Sequence, residues 1–247
     1  MNSTQKISLK RASVGYKKNG RNIAILGDLN FDFFAGDFVG IVGLNGIGKS
    51  TFLKSVCGLL PLLNGEVFID GENSSEISLV ELSRKIAIVL TEKIGGFNLT
   101  AYDVVAAGQM PYTNSFNQLK PENISIINSA IELCGLKDHQ FKPIVELSDG
   151  LFQKTIIAKA LAQRTPIMLL DEPSAFLDYA SKHDLFLLLK KQAEEENKCV
   201  LVSSHDLDLL VKYCNKLLVI ADGSVELIPV ESAKQNKAFM DIGGGFL

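Results

Sequence analysis

Two short stretches of this sequence carry side chains able to handle a phosphorylated ligand. GLNGIGKST, Gly43 to Thr51, fits the pattern G-x-x-x-x-G-K-[S/T]. Gly43, Gly46 and Gly48 let the backbone turn its N–H groups inward around phosphate oxygens, and Asn45 and Thr51 belong to the same cradle. Lys49 supplies a compact cation for the β- and γ-phosphates, and Ser50 a hydroxyl for Mg2+. The helix that must begin here adds the positive end of its dipole. IMLLDEP, Ile167 to Pro173, is an apolar run closed by two carboxylates. A buried parallel strand delivers such groups to its C-terminal edge, where α/β sheets bind ligands. Asp171 is then placed to hold Mg2+ through water, and Glu172 to polarise a water for attack on a γ-phosphate. Singly, the first stretch could be a Gly-rich turn and the second a solvated acidic turn. Together they point to nucleotide phosphate binding. A third stretch, ELSDGLFQK, reads as a helix start with Ser148 as N-cap and Asp149 in the first turn, an arrangement that suits an anion.

The elements around these stretches must put them at one sheet edge. KISLKRASVGY, RNIAIL and DLNFDFFAGD read as short N-terminal strands separated by Gly or Asn turns. FVGIVG is a continuous apolar run expected of a strand buried on both faces, followed by a helix from Lys49 to about Leu59. GEVFIDG and RKIAIVLT read as further strands. From Thr100 to Gln163 the apolar spacing turns helical, with TAYDVVAAGQ and PENISIINSAIELCGL as two helices. β/α alternation resumes at PIMLLDEP and ends in a hairpin, KLLVIADGSVELI, and the closing DIGGGFL reads as a tail. The fold class is α/β, with a parallel core, a β-rich N-terminal flank and a helical lobe. Residues 1–92 and 164–247 form the core in this reading, and 93–163 the lobe.

Composition narrows the classes. With 247 residues and 47% apolar side chains, a sizeable core can form. A net charge of −3 and a pI near 5.7 give no broad basic surface for nucleic acid. The four cysteines lack a C-x-x-C pair, which argues for reduced thiols over a disulfide framework or a zinc site. No apolar leader opens the chain and no run reaches a membrane span, so a soluble cytoplasmic protein is expected.

The phosphate loop, then LSDGLFQK at 147–154, IMLLDEPSAFLD at 167–178 and VLVSSHD from Val200, occur in an order and spacing that resembles ABC-transporter ATPase subunits over essentially the whole chain. That resemblance implies a P-loop (RecA-like) parallel-sheet core with an N-terminal antiparallel β subdomain and a helical signature lobe. It implies ATP and Mg2+ as cofactors and hydrolysis with Glu172 as general base. Tyr16 matches the aromatic that stacks on adenine, His205 the switch histidine that reaches the γ-phosphate. Ser148 and Gly150 match the signature that contacts ATP held by a second copy, and Asp178 the loop that crosses between copies.

Two positions depart from the pattern: Glu92 stands where a Gln that helps hold Mg2+ is usual, and Leu151 replaces the usual signature Gln. LTAYDVVAAGQMPYTN resembles a stretch typical of ATPases serving iron–siderophore, haem and cobalamin importers, with Gln109 and Met110 in place of an Arg and an aromatic. The partners implied are a second copy, transmembrane permease subunits and, indirectly, a solute-binding protein, with the chain peripheral on the inner membrane face. Pro111 and Tyr112 could belong to a face that docks the permease or could close the lobe's own core. Chain length fits a soluble ABC ATPase of iron–sulfur cluster assembly equally well, and the AAGQMPYTN stretch favours the importer.

Overall fold

The computed structural model describes residues 4–18, 20–90, 99–113, 118–221 and 223–243. Along the chain, strands β1 (Gln5–Lys18), β2 (Arg21–Phe34) and β3 (Phe38–Val42) lead through the phosphate loop into helix α1 (Lys49–Val56). Then come β4 (Asn64–Ile69), β5 (Glu72–Asn73), α2 (Leu79–Lys85) and β6 (Ile86–Val89). The helical segment holds α3 (Ala101–Ala106), a 3-10 stretch (Ala107–Tyr112), α4 (Pro121–Leu133) and α5 (Asp149–Ala162). The remainder is β7 (Ile167–Asp171), α6 (Tyr179–Glu194), β8 (Cys199–Ser203), α7 (Leu207–Tyr213), β9 (Lys216–Ala221), β10 (Ser224–Pro229) and a short α8 (Lys237–Asp241).

Two sheets result. An antiparallel sheet runs β2-β1-β4-β5, and a six-stranded sheet runs β10-β9-β3-β8-β7-β6. In the second, β9, β3, β8, β7 and β6 are mutually parallel and β10 closes the edge antiparallel to β9. The parallel strands are apolar throughout because both faces are covered, and the two-residue period sorts their side chains. Val39, Ile41, Leu169, Leu201 and Leu218 pack with Ile7, Leu26, Phe33 and Val67 of the antiparallel sheet and Phe52 of α1. Phe38, Val42, Met168, Leu170, Val200 and Val202 pack on the other face, with Ile127, Ile157, Phe186 and Phe239 of the helices. The four cysteines are free, and burial pushes the Cys134 thiol up to about 12 and those of Cys199 and Cys214 higher still.

The structure departs from the sequence reading in four places. RNIAIL and DLNFDFF form one strand, β2. Asp28, at φ +51, makes a bulge, and Asn30 bridges it by donating to Asp28 O and accepting from Arg11 N–H. Arg84 and Lys85, assigned to a strand, close α2, whose start is fixed by a reciprocal Ser78–Glu81 capping box. Helix α1 stops at Val56, just before Gly58 at φ +77. Asp241, read as tail, ends α8, which seats Phe239 at 0% exposure in the core.

The AGQMPY stretch buries Gly108 and Gln109 and leaves Met110 and Tyr112 exposed. Gln109 is 1% exposed and spans Ala162 O and Asn123 Nδ2, while Tyr112 donates to Gln163 O. Arg84 donates to Pro111 O at 2.8 Å. Gln163 in turn donates to Ser83 O and Ile86 O, so the helical segment is tied to α2 and β6 at this point.

Phe239→Ala should lower the free energy of unfolding by about 3–5 kcal/mol, measured by urea titration. A change below about 1 kcal/mol would show that α8 only lies against the core.

Candidate functional site

Strands buried on both faces can present polar groups only at their ends, and three neighbouring ends meet here. β8 lies between β3 and β7, so the phosphate loop after β3 and the carboxylates after β7 flank the end of β8. They open onto a cleft of about 360 Å³. Of the residues expected from sequence, Tyr16, Asn45, Gly46, Gly48, Lys49, Ser50, Thr51, Asp171, Glu172 and His205 line it, joined by Ile25. Gly43 lies behind the loop, where its carbonyl accepts from Lys49. Glu92 falls outside the described residues.

Gly48 caps α1 at φ +118, and a Cβ there would come within 2.6 Å of Ile25 Cγ2. Any side chain would therefore be both strained and obstructed. The turn aims the first N–H groups of α1, which lack partners within the helix, at the cleft. Lys49 is 7% exposed; its Nζ donates to Gly43 O at 2.8 Å and Leu44 O at 3.4 Å. Burial lowers its pKa, and the nearby Glu172 and Asp171 charges oppose that shift. Tyr16, half exposed, shares a 2.8 Å hydroxyl hydrogen bond with Thr51, which fixes its ring at the rim above the loop.

Asp171 is 3% exposed and accepts from Ser203 Oγ at 2.7 Å. Glu172 adopts φ +48, a left-handed conformation that costs a non-glycine residue about 1–3 kcal/mol. Its amide donates to the same Ser203 Oγ at 2.9 Å. Glu172 Oε1 lies 3.0 Å from His205 Nε2, yet the angle is not that of a hydrogen bond, and Oε1 is buried without a donor. Burial raises the Glu172 pKa; His205 and Lys49 pull it down and Asp171 pushes it up, with a net shift upward. A carboxylate with an unoccupied buried oxygen beside a cation is suited to take a proton from water. The His205 segment is held by its neighbour Asp206, whose carboxylate pairs with Lys182 of α6 at 2.8 Å.

Among the described residues no cluster of three His, Cys, Asp or Glu side chains could hold a metal. A hydroxyl (Ser50) and a carboxylate (Asp171) do suit Mg2+, which takes few protein oxygens and completes its shell with phosphate and water.

Ser148, Gly150 and Asp178 do not line this cleft. Ser148 is the exposed N-cap of α5, accepting from Leu151 N–H, and Asp178 is the exposed N-cap of α6, accepting from Ser181 N–H. The two caps are neighbours: a Cβ on Gly150 would lie 3.1 Å from Phe176 O. Sequence reasoning missed Ser203. The available signal was a hydroxyl closing an otherwise apolar strand, in register with Asp171 on β7.

A family model described as ABC transporter matches residues 26–175. The cobalamin import ATP-binding protein BtuD of Halobacterium salinarum is 35% identical over 201 residues, covering 81% of this chain and 50% of the relative. The iron(3+)-hydroxamate import ATP-binding protein FhuC of Bacillus subtilis is 31% identical over 219 residues, covering 89% of this chain and 80% of the relative. A solved dimeric, post-hydrolysis state of the ATP-binding cassette MJ0796 bound to ADP and Pi superposes with a TM-score of 0.81 at 28% identity, covering 91% of this chain and 98% of that one.

The Lys182–Asp206 pair is partly exposed, so Lys182→Met should change the unfolding free energy by no more than about 1 kcal/mol. Urea titration checks this; a larger loss would mean the pair carries the packing of α6 on α7.

Proposed function

The chain belongs to the ABC transporter family as one of its ATPase subunits, and on that premise we propose that it energises uptake of a metal chelate (an iron–siderophore, haem or cobalamin) through a membrane permease. The observation that carries the reading is the convergence of Lys49, Ser50, Asp171, Glu172 and His205 on one cleft, while Ser148, Gly150 and Asp178 are displayed outside it. Each cleft is half of a composite site. A second copy brings its Ser148 and Gly150 to the γ-phosphate of ATP bound on the Lys49 loop of the first, and Asp178 crosses between copies. The dimeric cassette related to this chain supports that arrangement, and the relatives named for iron-hydroxamate and cobalamin import support the solute class.

Adenine stacks on Tyr16, and the loop amides and Lys49 take the phosphates. Ser50 and Asp171 would hold Mg2+, which would neutralise phosphate charge. Glu172 accepts a proton as water attacks the γ-phosphorus, the bond to the β-phosphate oxygen breaks, and ADP and phosphate result. His205, beside Glu172, faces the γ-phosphate. Closure around ATP and opening after hydrolysis form a two-state interface biased by ligand.

No helix among the described residues is long and apolar enough to cross a membrane. In this reading attachment at the inner membrane face runs through the permease, which also receives solute from a solute-binding protein. The docking surface is a groove of about 390 Å³ lined by Leu99, Val104, Met110 and Leu119, with Met110 more than half exposed. Tyr112 and Pro111 brace this groove from behind through their contacts to Gln163 and Arg84.

Glu172→Gln should reduce kcat about 100-fold or more and accumulate an ATP-bound dimer, seen by size-exclusion chromatography; rapid turnover would refute the assigned role. In the native chain the base works ionised, so activity is present above the Glu172 pKa and falls as pH drops through it. Since that pKa is raised, the acid limb of the kcat profile should lie above the ordinary glutamate range near 4.5. Met110→Asp should leave the hydrolysis rate of the isolated subunit unchanged and abolish its co-purification with the permease. Retained co-purification would place docking elsewhere.

A further inference from the structure

We infer that Ser203 is a positioning residue that sets the geometry of both carboxylates at once. This rests on the ATPase reading above and extends it to a residue outside the phosphate loop, the acidic strand end and the switch histidine. Ser203 is 0% exposed and stands in register with Asp171 on one side and Ile41 on the other, in the strand between the phosphate loop and the acidic strand. Its hydroxyl has one hydrogen. The Glu172 amide can only donate, so Ser203 Oγ accepts there, at 2.9 Å, and its own hydrogen goes to Asp171 Oδ1 at 2.7 Å. The result is a fixed-direction chain from the Glu172 peptide N–H through the serine hydroxyl to the Asp171 carboxylate, in a buried setting that strengthens both bonds.

Two consequences follow from that direction. Asp171 Oδ1 is committed to Ser203, so Oδ2, which has no hydrogen bond among the described residues, would be the oxygen offered to a cation. The peptide of Glu172 is held in its left-handed turn, φ +48, by the hydrogen bond from its part-buried amide to Ser203. That turn brings the Glu172 carboxylate within 3.0 Å of His205. Outer partners of metal-ligating carboxylates act in this way, by fixing which atom is offered and in what direction.

The test compares Ser203→Thr with Ser203→Val, which have nearly equal volume and differ in the hydroxyl, alongside Ser203→Ala. Each full-length variant is assayed for ATP hydrolysis and, independently of turnover, for binding of a fluorescent ATP analogue with Mg2+ titrated from an EDTA baseline. Val and Ala should lower kcat and raise the Mg2+ concentration needed for half-maximal enhancement of binding, each by about 10- to 100-fold. Affinity in EDTA should be unchanged, and Thr should stay within about threefold of the native chain on both measures. Equal behaviour of Thr and Val, whether both active or both impaired, would overturn the inference, because volume and not the hydroxyl would then decide. Thermal unfolding of each variant identifies a general loss of fold, and if Ala alone unfolds the Thr–Val pair still decides. A native chain that fails to hydrolyse ATP would refute the ATPase reading itself, while a native chain that hydrolyses ATP alongside an unimpaired Val variant would refute only the role of Ser203.

Discussion

A strand covered on both faces has nowhere to place a polar side chain except at its ends, and this protein's site is a consequence of that rule. β3, β8 and β7 are apolar along their length, and their C-terminal ends carry the phosphate loop, Ser203 and Asp171 side by side. Strand spacing of roughly 4.8 Å then sets the scale: the loop and the acidic end are about two strands apart, with one strand end between them. A serine hydroxyl in that middle position is close enough to bond both residues of the acidic pair. Its absence would leave the part-buried Glu172 amide and a buried Asp171 carboxylate oxygen without these partners, a costly arrangement.

Charge completes what geometry begins. Lys49 is an ammonium withdrawn from water, and its nearest opposite charges are Asp171 and Glu172. Glu172 is a carboxylate whose burial favours the neutral form, restrained by His205 and Lys49. Neither group is comfortable alone. The carboxylates favour the charged form of Lys49, while burial raises the basicity of Glu172 and the neighbouring Lys49 restrains it, the balance that the proposed general-base role requires. The left-handed backbone at Glu172 belongs to the same pattern, being strain placed where a side chain must be aimed.

The exposed helix caps at Ser148 and Asp178 differ in kind. Each satisfies its own helix, and Gly150 lets the start of α5 come close to the Phe176 carbonyl just ahead of α6. Neither reaches the cleft of its own chain. In the proposed dimer they act on the partner's nucleotide, Ser148 from the helical segment and Asp178 from the start of α6. The helical segment is anchored through Tyr112, Gln163 and Arg84, which connects the groove proposed to receive the permease to the edge of the sheet by hydrogen bonds.

The sequence alone was enough for the α/β class and for expecting a glycine-patterned loop and an acidic pair at strand ends, because each depends on local order, a glycine pattern or an apolar run ending in carboxylates; the role of His205 came only with the family resemblance. It also carried the family resemblance, since that lies in the order of short motifs. It misjudged the continuity of β2, because a bulge stitched by Asn30 absorbed what looked like a turn, and it missed α2, because a capping box overrode a strand-like run. It left open whether Pro111 and Tyr112 face a partner or the core, and in the structure both bond to their own chain, through Arg84 and Gln163, while the Tyr112 ring stays exposed. Ser203 shows the limit most directly. One hydroxyl in an apolar strand says little by itself, and only the strand order, which places β8 between β3 and β7, makes it the shared partner of two carboxylate residues. Local periodicity determines elements; adjacency between distant segments, set by how those elements pack, determines what their end residues can do.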